Sequence, residues 1–150
     1  MRPPEPDLDE VRRRWIGVPF EVGEHPIALL DLLTWARACG ETDGRFVDPD
    51  HPDFQAHPTY TARFSARPFL PDEFPELGSG GIDGGKRIEA TAPIRPGDVL
   101  SSSTSIAEIY EKTGRSGTMV FVVHRMAFAN QRGEAVSTVD SKMIRSGVRA

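Results

Sequence analysis

The chain has 150 residues, of which 38% are hydrophobic and 27% charged, a balance typical of one globular domain. Its formal net charge of −4 argues against nucleic-acid binding, which needs a basic surface, and its single cysteine, Cys39, excludes an internal disulfide framework. Because neither an apolar run of roughly 18 residues nor a signal-peptide core is present, we expect a cytoplasmic protein without a membrane span.

The N-terminal part of the sequence predicts a loose start and then helix. Residues 1–14 begin with a proline-rich polar stretch, and we expect a flexible N-terminal segment, although residues 9–16 have the apolar spacing of a short helix. Residues 27–39 are densely apolar and are followed by Gly40, a typical helix stop. They form the strongest predicted helix.

The middle of the chain excludes any long helix. Six prolines lie between Phe46 and Gly85, and proline is not tolerated in helix interiors. Residues 57–64 leave room for one short helical turn. The glycine-rich residues 78–85 are predicted to be a flexible loop. No Gly-Lys-Ser/Thr follows them, so they are not a phosphate-binding loop.

Four strands are predicted in the C-terminal part, at residues 86–94, 99–112, 119–129 and 135–145. The turns between them carry glycine and polar residues, as in residues 113–117 and 130–134. One helix followed by a meander of strands predicts an α+β domain, with the helix packed on one face of the sheet. We place this domain at residues 15–146 and a short tail at residues 147–150.

Residues 39–48 read Cys-Gly-Glu-Thr-Asp-Gly-Arg-Phe-Val-Asp. This stretch resembles the signature of the MaoC-like (R)-specific enoyl-thioester hydratases, Ser-Gly-Asp-x-Asn-Pro-apolar-His-x-Asp. In that family the Asp and the His activate the water that adds to the enoyl group. Here Glu41 stands at the Asp position, Asp43 at the Asn position and Phe46 at the His position. The resemblance therefore implies a site whose catalytic groups are not intact.

Further motifs extend the resemblance over residues 15–146. Residues 56–60, 93–98, 114–121 and 130–134 are similar to elements of the same family, in the same order. The resemblance implies a hot-dog fold, a curved antiparallel sheet wrapped around a helix, with the central helix shortened. The subgroup it resembles is noncatalytic or N-terminal, and includes substrate-binding subunits of heteromeric mycolic-acid dehydratases and steroid enoyl-CoA hydratases.

Hydration of an enoyl thioester needs a general base and a general acid near the working pH. Phe46 has no titratable group, and Glu41 is one methylene longer than the family's Asp, so an inert site is the main interpretation and a rewired site the alternative. Among the histidines, His51 is interpreted as a surface residue, His57 as structural and His124 as packed or hydrogen-bonded within a strand. Cys39 is expected to be a small buried thiol.

With the central helix shortened, the fold has room for a bulky acyl group. We therefore predict an acyl tunnel, with ordinary core packing as the alternative interpretation; its lining residues would be Pro58, Thr59, Tyr60, Phe64, Phe69 and Phe74. No metal-ligand spacing is present. No cofactor is expected, because the substrate itself carries CoA or the pantetheine of an acyl carrier protein.

The leading interpretation is a subunit of a heteromeric (R)-specific enoyl-CoA or enoyl-ACP hydratase. This chain would bind the acyl part, a fatty-acyl or steroid-side-chain thioester, and a MaoC-like catalytic subunit would supply Asp and His. A second interpretation is a noncatalytic acyl-binding scaffold. A third is a self-sufficient homodimeric hydratase or thioesterase with a rewired Glu41 site. Exposed sheet edges favour association with a partner or a second copy.

Overall fold

The computed structural model describes residues 6–148 of the protein, with side chains up to residue 146. Within this described part, three helices, one 3₁₀ turn and five strands follow one another. They are α1 Leu8–Trp15, β1 Pro19–Pro26, α2 Leu29–Ala38, α3 Gly44–Val47, the 3₁₀ turn Tyr60–Arg63, β2 Ser79–Ala90, β3 Val99–Gly114, β4 Gly117–Ala129 and β5 Ala135–Val148. The α+β prediction is confirmed, as are the four C-terminal strands.

The five strands form one antiparallel sheet in the order β1-β3-β4-β5-β2, so that β1 and β2 are its edges. The hairpin between β3 and β4 turns at Arg115 and Ser116, with Gly114 opposite Gly117 in the register. Gly117 has a φ of 110°, a conformation that favours glycine. The long strands β3 to β5 form the central part of this sheet, and the helices pack against it.

The core consists of two clusters of buried side chains on this sheet. One lies under α2 and the 3₁₀ turn, where Leu32, Tyr60 and Phe128 are at most 2% exposed. The other lies under α1, where Val11 packs with Val122 of β4. Burial of such side chains is the dominant favourable term in folding. The predicted α2 is thus confirmed, with bounds within two residues of the prediction.

The prediction of a loop at residues 78–85 is wrong, because residues 79–85 lie in β2. β2 pairs with β5, and its register shifts between Ser79 and Ile82 and again between Asp83 and Lys86. Glycine suits such bulged positions: Gly85 has a φ of 92°. A Cβ at Gly84 would lie only 3.1 Å from the backbone oxygen of Lys142. The glycines therefore mark bulges and a close strand approach.

Two boundary predictions also change. The short helix predicted at residues 9–16 is confirmed as α1. Its residues 8–14 fall in the segment predicted to be flexible, and its Val11 is buried. β5 extends to Val148, two residues into the predicted tail; residues 1–5 and 149–150 lie outside the described part. No helix in the described residues is long and apolar enough to cross a membrane.

Candidate functional site

The end of α2 determines where Glu41 lies. The N–H of Gly40 donates to the carbonyl of Arg37 and the N–H of Glu41 to that of Ala36, both at 3.0 Å. These paired bonds form a Schellman motif. Its left-handed position is occupied by Gly40, which has a φ of 72°. The chain reverses at this glycine, so Glu41 opens the loop that leads to α3.

Two backbone groups and one imidazole hold the Glu41 carboxylate. Its Oε1 accepts hydrogen bonds from the N–H of Thr42 at 2.8 Å and of Asp43 at 2.9 Å. Its Oε2 lies 3.2 Å from Nε2 of His57, and the two side chains are 24% and 16% exposed. The sequence-based interpretation treated Glu41 and His57 separately, and the structure brings them together.

A chain of hydrogen bonds determines the tautomer of His57. The backbone N–H of Thr59 donates to Nδ1 of His57 at 3.3 Å, and the Thr59 hydroxyl lies 2.8 Å from the same nitrogen. The indole N–H of Trp35 donates to that hydroxyl oxygen at 3.1 Å, which leaves the hydroxyl hydrogen for Nδ1. Nδ1 is therefore the acceptor. Nε2 carries the ring hydrogen and donates it to Glu41.

Phe46, at the His position of the signature, belongs to the core. It is 8% exposed and packs edge-on against His57, with the ring centroids 5.5 Å apart. Asp43 is the N-cap of α3, and its Oδ1 accepts a hydrogen bond from the backbone N–H of Arg45 at 3.0 Å. The Arg45 side chain and then its backbone N–H lower the pKa of Asp43 to about 2. In this chain the signature residues thus include a helical turn, in which an apolar ring stands at the His position.

The Glu41–His57 pair is a poor general base as arranged. The N–H of Asp43 and then that of Thr42 hold the pKa of the Glu41 carboxyl below its ordinary value, and the interaction with His57 acts in the same direction. A carboxylate with a lowered pKa takes a proton from water less readily. Both ring nitrogens of His57 are engaged. The geometry favours a structural pair that joins two loops.

The residues predicted to line an acyl tunnel lie in different surroundings. Phe64 and Phe69 line a cavity of about 380 Å³, and Phe69 is 45% exposed. Pro58 lines a second cavity of about 490 Å³, beside Phe46 and His57. Of the six residues, Phe64 and Phe69 thus share one cavity.

The other three predicted residues make different contacts. Thr59 bonds to His57, as described above. Tyr60 is 1% exposed in the core, where its ring packs edge-on against Phe64. Phe74 packs edge-on against Trp15 of α1, with the centroids 5.7 Å apart. These three residues position the segment that covers the sheet, and the tunnel stays a prediction.

The 380 Å³ cavity lies between the Phe64–Phe69 segment and the sheet. Met126 of β4 and Val139 of β5 contribute to an apolar wall. Lys86 of β2 also lines the cavity, and its ammonium group donates to the carbonyls of Ala62 at 2.9 Å and Phe64 at 3.4 Å. Lys86 thus attaches the covering segment to the sheet. The volume is within the range of small-molecule sites.

His124 lines the same cavity, and the sequence indicated only its place inside a strand. It is 3% exposed, and no residue in the described part of the chain hydrogen-bonds its Nε2. Burial, and secondly the charge of Lys86, lower the pKa of His124 to about 4. The expectation that His124 is packed or hydrogen-bonded within a strand is met by packing, since the side chain is buried in β4. A strand pattern shows burial but not pairing.

The remaining candidates are peripheral. His51 lies in the loop after α3, where its Nδ1 accepts a hydrogen bond from the N–H of Asp53 at 3.0 Å. Cys39 was expected to be buried and is exposed, because it caps α2 where the helix meets solvent. Among residues 6–148, no three His, Cys, Asp or Glu side chains are grouped to hold a metal ion.

Comparison with known proteins relates this geometry to a family. The sequence matches the model of the FAS1-like dehydratase domain region over residues 14–139. No curated protein matches it significantly.

Solved structures show the same fold at low sequence identity. The MaoC-like dehydratase from Rhodospirillum rubrum is 24% identical, with a TM-score of 0.59 over 89% of this chain and 94% of that one. The C-terminally truncated HadBC (3R)-hydroxyacyl-ACP dehydratase complex from Mycobacterium tuberculosis is 20% identical, with a TM-score of 0.64 over 87% of this chain and 93% of that one. The ChsH1–ChsH2 complex from the same organism is 15% identical, with a TM-score of 0.64 over 93% of this chain and 90% of that one. The predicted hot-dog fold is confirmed.

Proposed function

The chain belongs to the family of the FAS1-like dehydratase domain region, and from this premise we propose that it is the acyl-binding subunit of a heteromeric (R)-specific enoyl-thioester hydratase. In that enzyme a MaoC-like partner supplies the Asp and the His that activate water. This chain binds and shapes the acyl part of a CoA- or ACP-bound substrate, a long fatty-acyl chain or a steroid side chain.

The single observation that carries the proposal is the state of the signature. Phe46 replaces the imidazole and is buried, so no base can act from that position. Glu41 keeps a carboxylate, but its pKa is lowered by the N–H groups of Asp43 and Thr42. A hydratase needs groups that take and give a proton near neutral pH. In the proposed enzyme a second chain provides them.

The acyl-binding role rests on the cavity next to the sheet. Between α3 and β2 the helical structure is limited to the 3₁₀ turn Tyr60–Arg63, which leaves space that a longer helix would fill. Phe64, Phe69 and Met126 give this cavity an apolar lining suited to hydrocarbon. Two of the similar structures, HadBC and ChsH1–ChsH2, are named as two-chain complexes, which supports a heteromer.

A second candidate function is supported by the Glu41–His57 contact. A carboxylate and an imidazole 3.2 Å apart are the residue types that hydrate enoyl thioesters, so a rewired self-sufficient site is the alternative. It would require the His57–Thr59 bonds to break when substrate binds. One experiment separates the two functions, since a rewired site needs no partner.

The experiment measures hydration of crotonyl-CoA and a longer enoyl-CoA by the purified chain, alone and mixed with a MaoC-like subunit that has an intact Asp and His. The proposed function predicts that activity appears only in the mixture. That activity should be lost when the partner's Asp is replaced, and it should be retained when this chain carries Glu41→Gln. Strong activity of this chain alone that Glu41→Gln abolishes would overturn it and establish the rewired site.

A further inference from the structure

One buried polar atom at the 380 Å³ cavity has no hydrogen-bond partner in the part of the chain that the structure describes. His124 lies in β4 with 3% of its surface exposed, and no described residue hydrogen-bonds its Nε2. Buried polar atoms in folded proteins are nearly always paired, because an unpaired one costs free energy of folding. An apolar side chain of similar size would avoid that cost. The presence of a histidine here points to a bond with something that enters the cavity.

Two polar groups that line the same cavity, those of Lys86 and Thr104, are bonded within the chain. The ammonium group of Lys86 donates to the carbonyls of Ala62 and Phe64. The hydroxyl of Thr104, which also lines the cavity, donates to Oε2 of Glu21 at 2.8 Å. Burial lowers the pKa of His124 to about 4, so the ring is neutral at pH 7 and carries one donor and one acceptor nitrogen. The imidazole thus offers a neutral, directional contact.

An aromatic ring packs against His124 at this cavity. Phe69 packs edge-on against the imidazole with the ring centroids 4.0 Å apart, and 45% of Phe69 is exposed. A half-exposed side chain can change rotamer at small cost, because little buried surface is lost. A ligand that displaces this ring would reach His124 while its hydrocarbon part packs on Met126 and Met143.

We propose that the acyl group bound in this cavity carries a hydroxyl or keto oxygen along its length, and that His124 Nε2 hydrogen-bonds that oxygen. The inference rests on the proposed acyl-binding function and adds a specificity determinant to it. A hydroxyl can pair with either tautomer of the ring, whereas a keto oxygen requires the hydrogen on Nε2. A plain hydrocarbon chain leaves Nε2 unpaired and is disfavoured relative to the oxygenated one.

The test measures dissociation constants by calorimetry, using the wild-type chain in complex with its partner. The probes are decanoyl-CoA and its monohydroxy and monoketo analogues, substituted at successive carbons of the distal half. We expect one oxygenated analogue to bind the wild type about tenfold tighter than decanoyl-CoA. In His124→Leu this preference should disappear while decanoyl-CoA binds at least as tightly as before.

A matched variant identifies the atom responsible. Ser141→Ala removes another polar group from the cavity lining and should keep the preference. The inference is overturned if no oxygenated analogue is preferred, if the preference survives in His124→Leu, or if Ser141→Ala removes it instead. Binding of decanoyl-CoA reports the acyl-binding function separately: if no acyl-CoA binds to folded protein, the proposed function fails and this inference fails with it.

Discussion

Oε2 of Glu41 and Nε2 of His57 lie 3.2 Å apart, and each of the two side chains is also held by backbone N–H groups. The residue types of a hydratase site are therefore present next to the altered signature, but they bond to each other. His57 donates its only ring hydrogen to Glu41 and accepts from Thr59. An imidazole used in this way stabilises the loops and has no lone pair left for water.

Thr59→Val should weaken this arrangement. The Thr59 hydroxyl bonds to Trp35 and to His57, so its removal leaves the indole N–H without an acceptor. We expect the free energy of unfolding to fall by about 1–3 kcal/mol, measured by urea denaturation followed by circular dichroism. Thr59→Ser keeps the hydroxyl and is the matched control. Equal losses in the two variants would show that the hydrogen-bond chain contributes nothing.

Phe46→His restores the imidazole of the signature and should not restore activity. The side chain at this position is 8% exposed and packs on His57, so a polar ring there costs about 1–3 kcal/mol of stability. Glu41 would still have a lowered pKa. Hydration of crotonyl-CoA by the purified variant should remain at the level of the wild-type chain alone. A large gain in rate would mean that Phe46 is the single block to catalysis.

The fold was predictable from the sequence where patterns are local. Strands β3 to β5 follow from apolar runs between glycine and polar turns, and α2 from its apolar density before Gly40. β1 was missed because prolines stand at both of its ends and Val22 is 76% exposed, as suits an edge strand. The glycines of β2 were misread, since a bulge depends on the partner strand rather than on the glycine-rich segment itself.

The candidate site also has a part that the sequence predicts and a part that depends on the fold. Alignment with a signature identified the positions of Glu41, Asp43 and Phe46. The bond between Glu41 and His57 could not be predicted, because it depends on how two loops meet in space. The unpaired state of His124 is likewise invisible in sequence, since pairing is a property of neighbours from other strands.

Asp43→Asn should show a stability difference that depends on pH. The Arg45 side chain lowers the pKa of Asp43 to about 2, against roughly 3.9 in an unfolded chain. A lowered carboxyl pKa stabilises the folded state above the unfolded value, and this contribution is lost as the pH falls towards 2. Asn also caps helices well, so the helix start is preserved. The wild type should be the more stable at about pH 6, with the margin vanishing near pH 2.

Thermal unfolding of both proteins across this range measures that margin. Added salt should reduce it near neutral pH, because the pair is at the surface and is screened. A margin that stays constant down to about pH 2 would contradict the role of the Arg45 pair.

His124→Leu should change stability in the opposite direction, so that the variant is more stable than the wild type at acidic pH. Burial, and secondly Lys86, lower the pKa of His124 to about 4, against roughly 6.5 when unfolded. Between these values the unfolded chain binds a proton that the folded chain does not, so wild-type stability falls as the pH drops. The variant lacks this penalty and should exceed the wild type in free energy of unfolding by a margin that grows on acidification, by up to about 3 kcal/mol.

Urea unfolding between about pH 7 and 4 measures this margin, with His51→Gln as a loop-histidine control. The carboxyl groups are the same in both proteins and contribute equally to both. If the free energies of unfolding of the two proteins change in parallel with pH, His124 is not held neutral in the folded state.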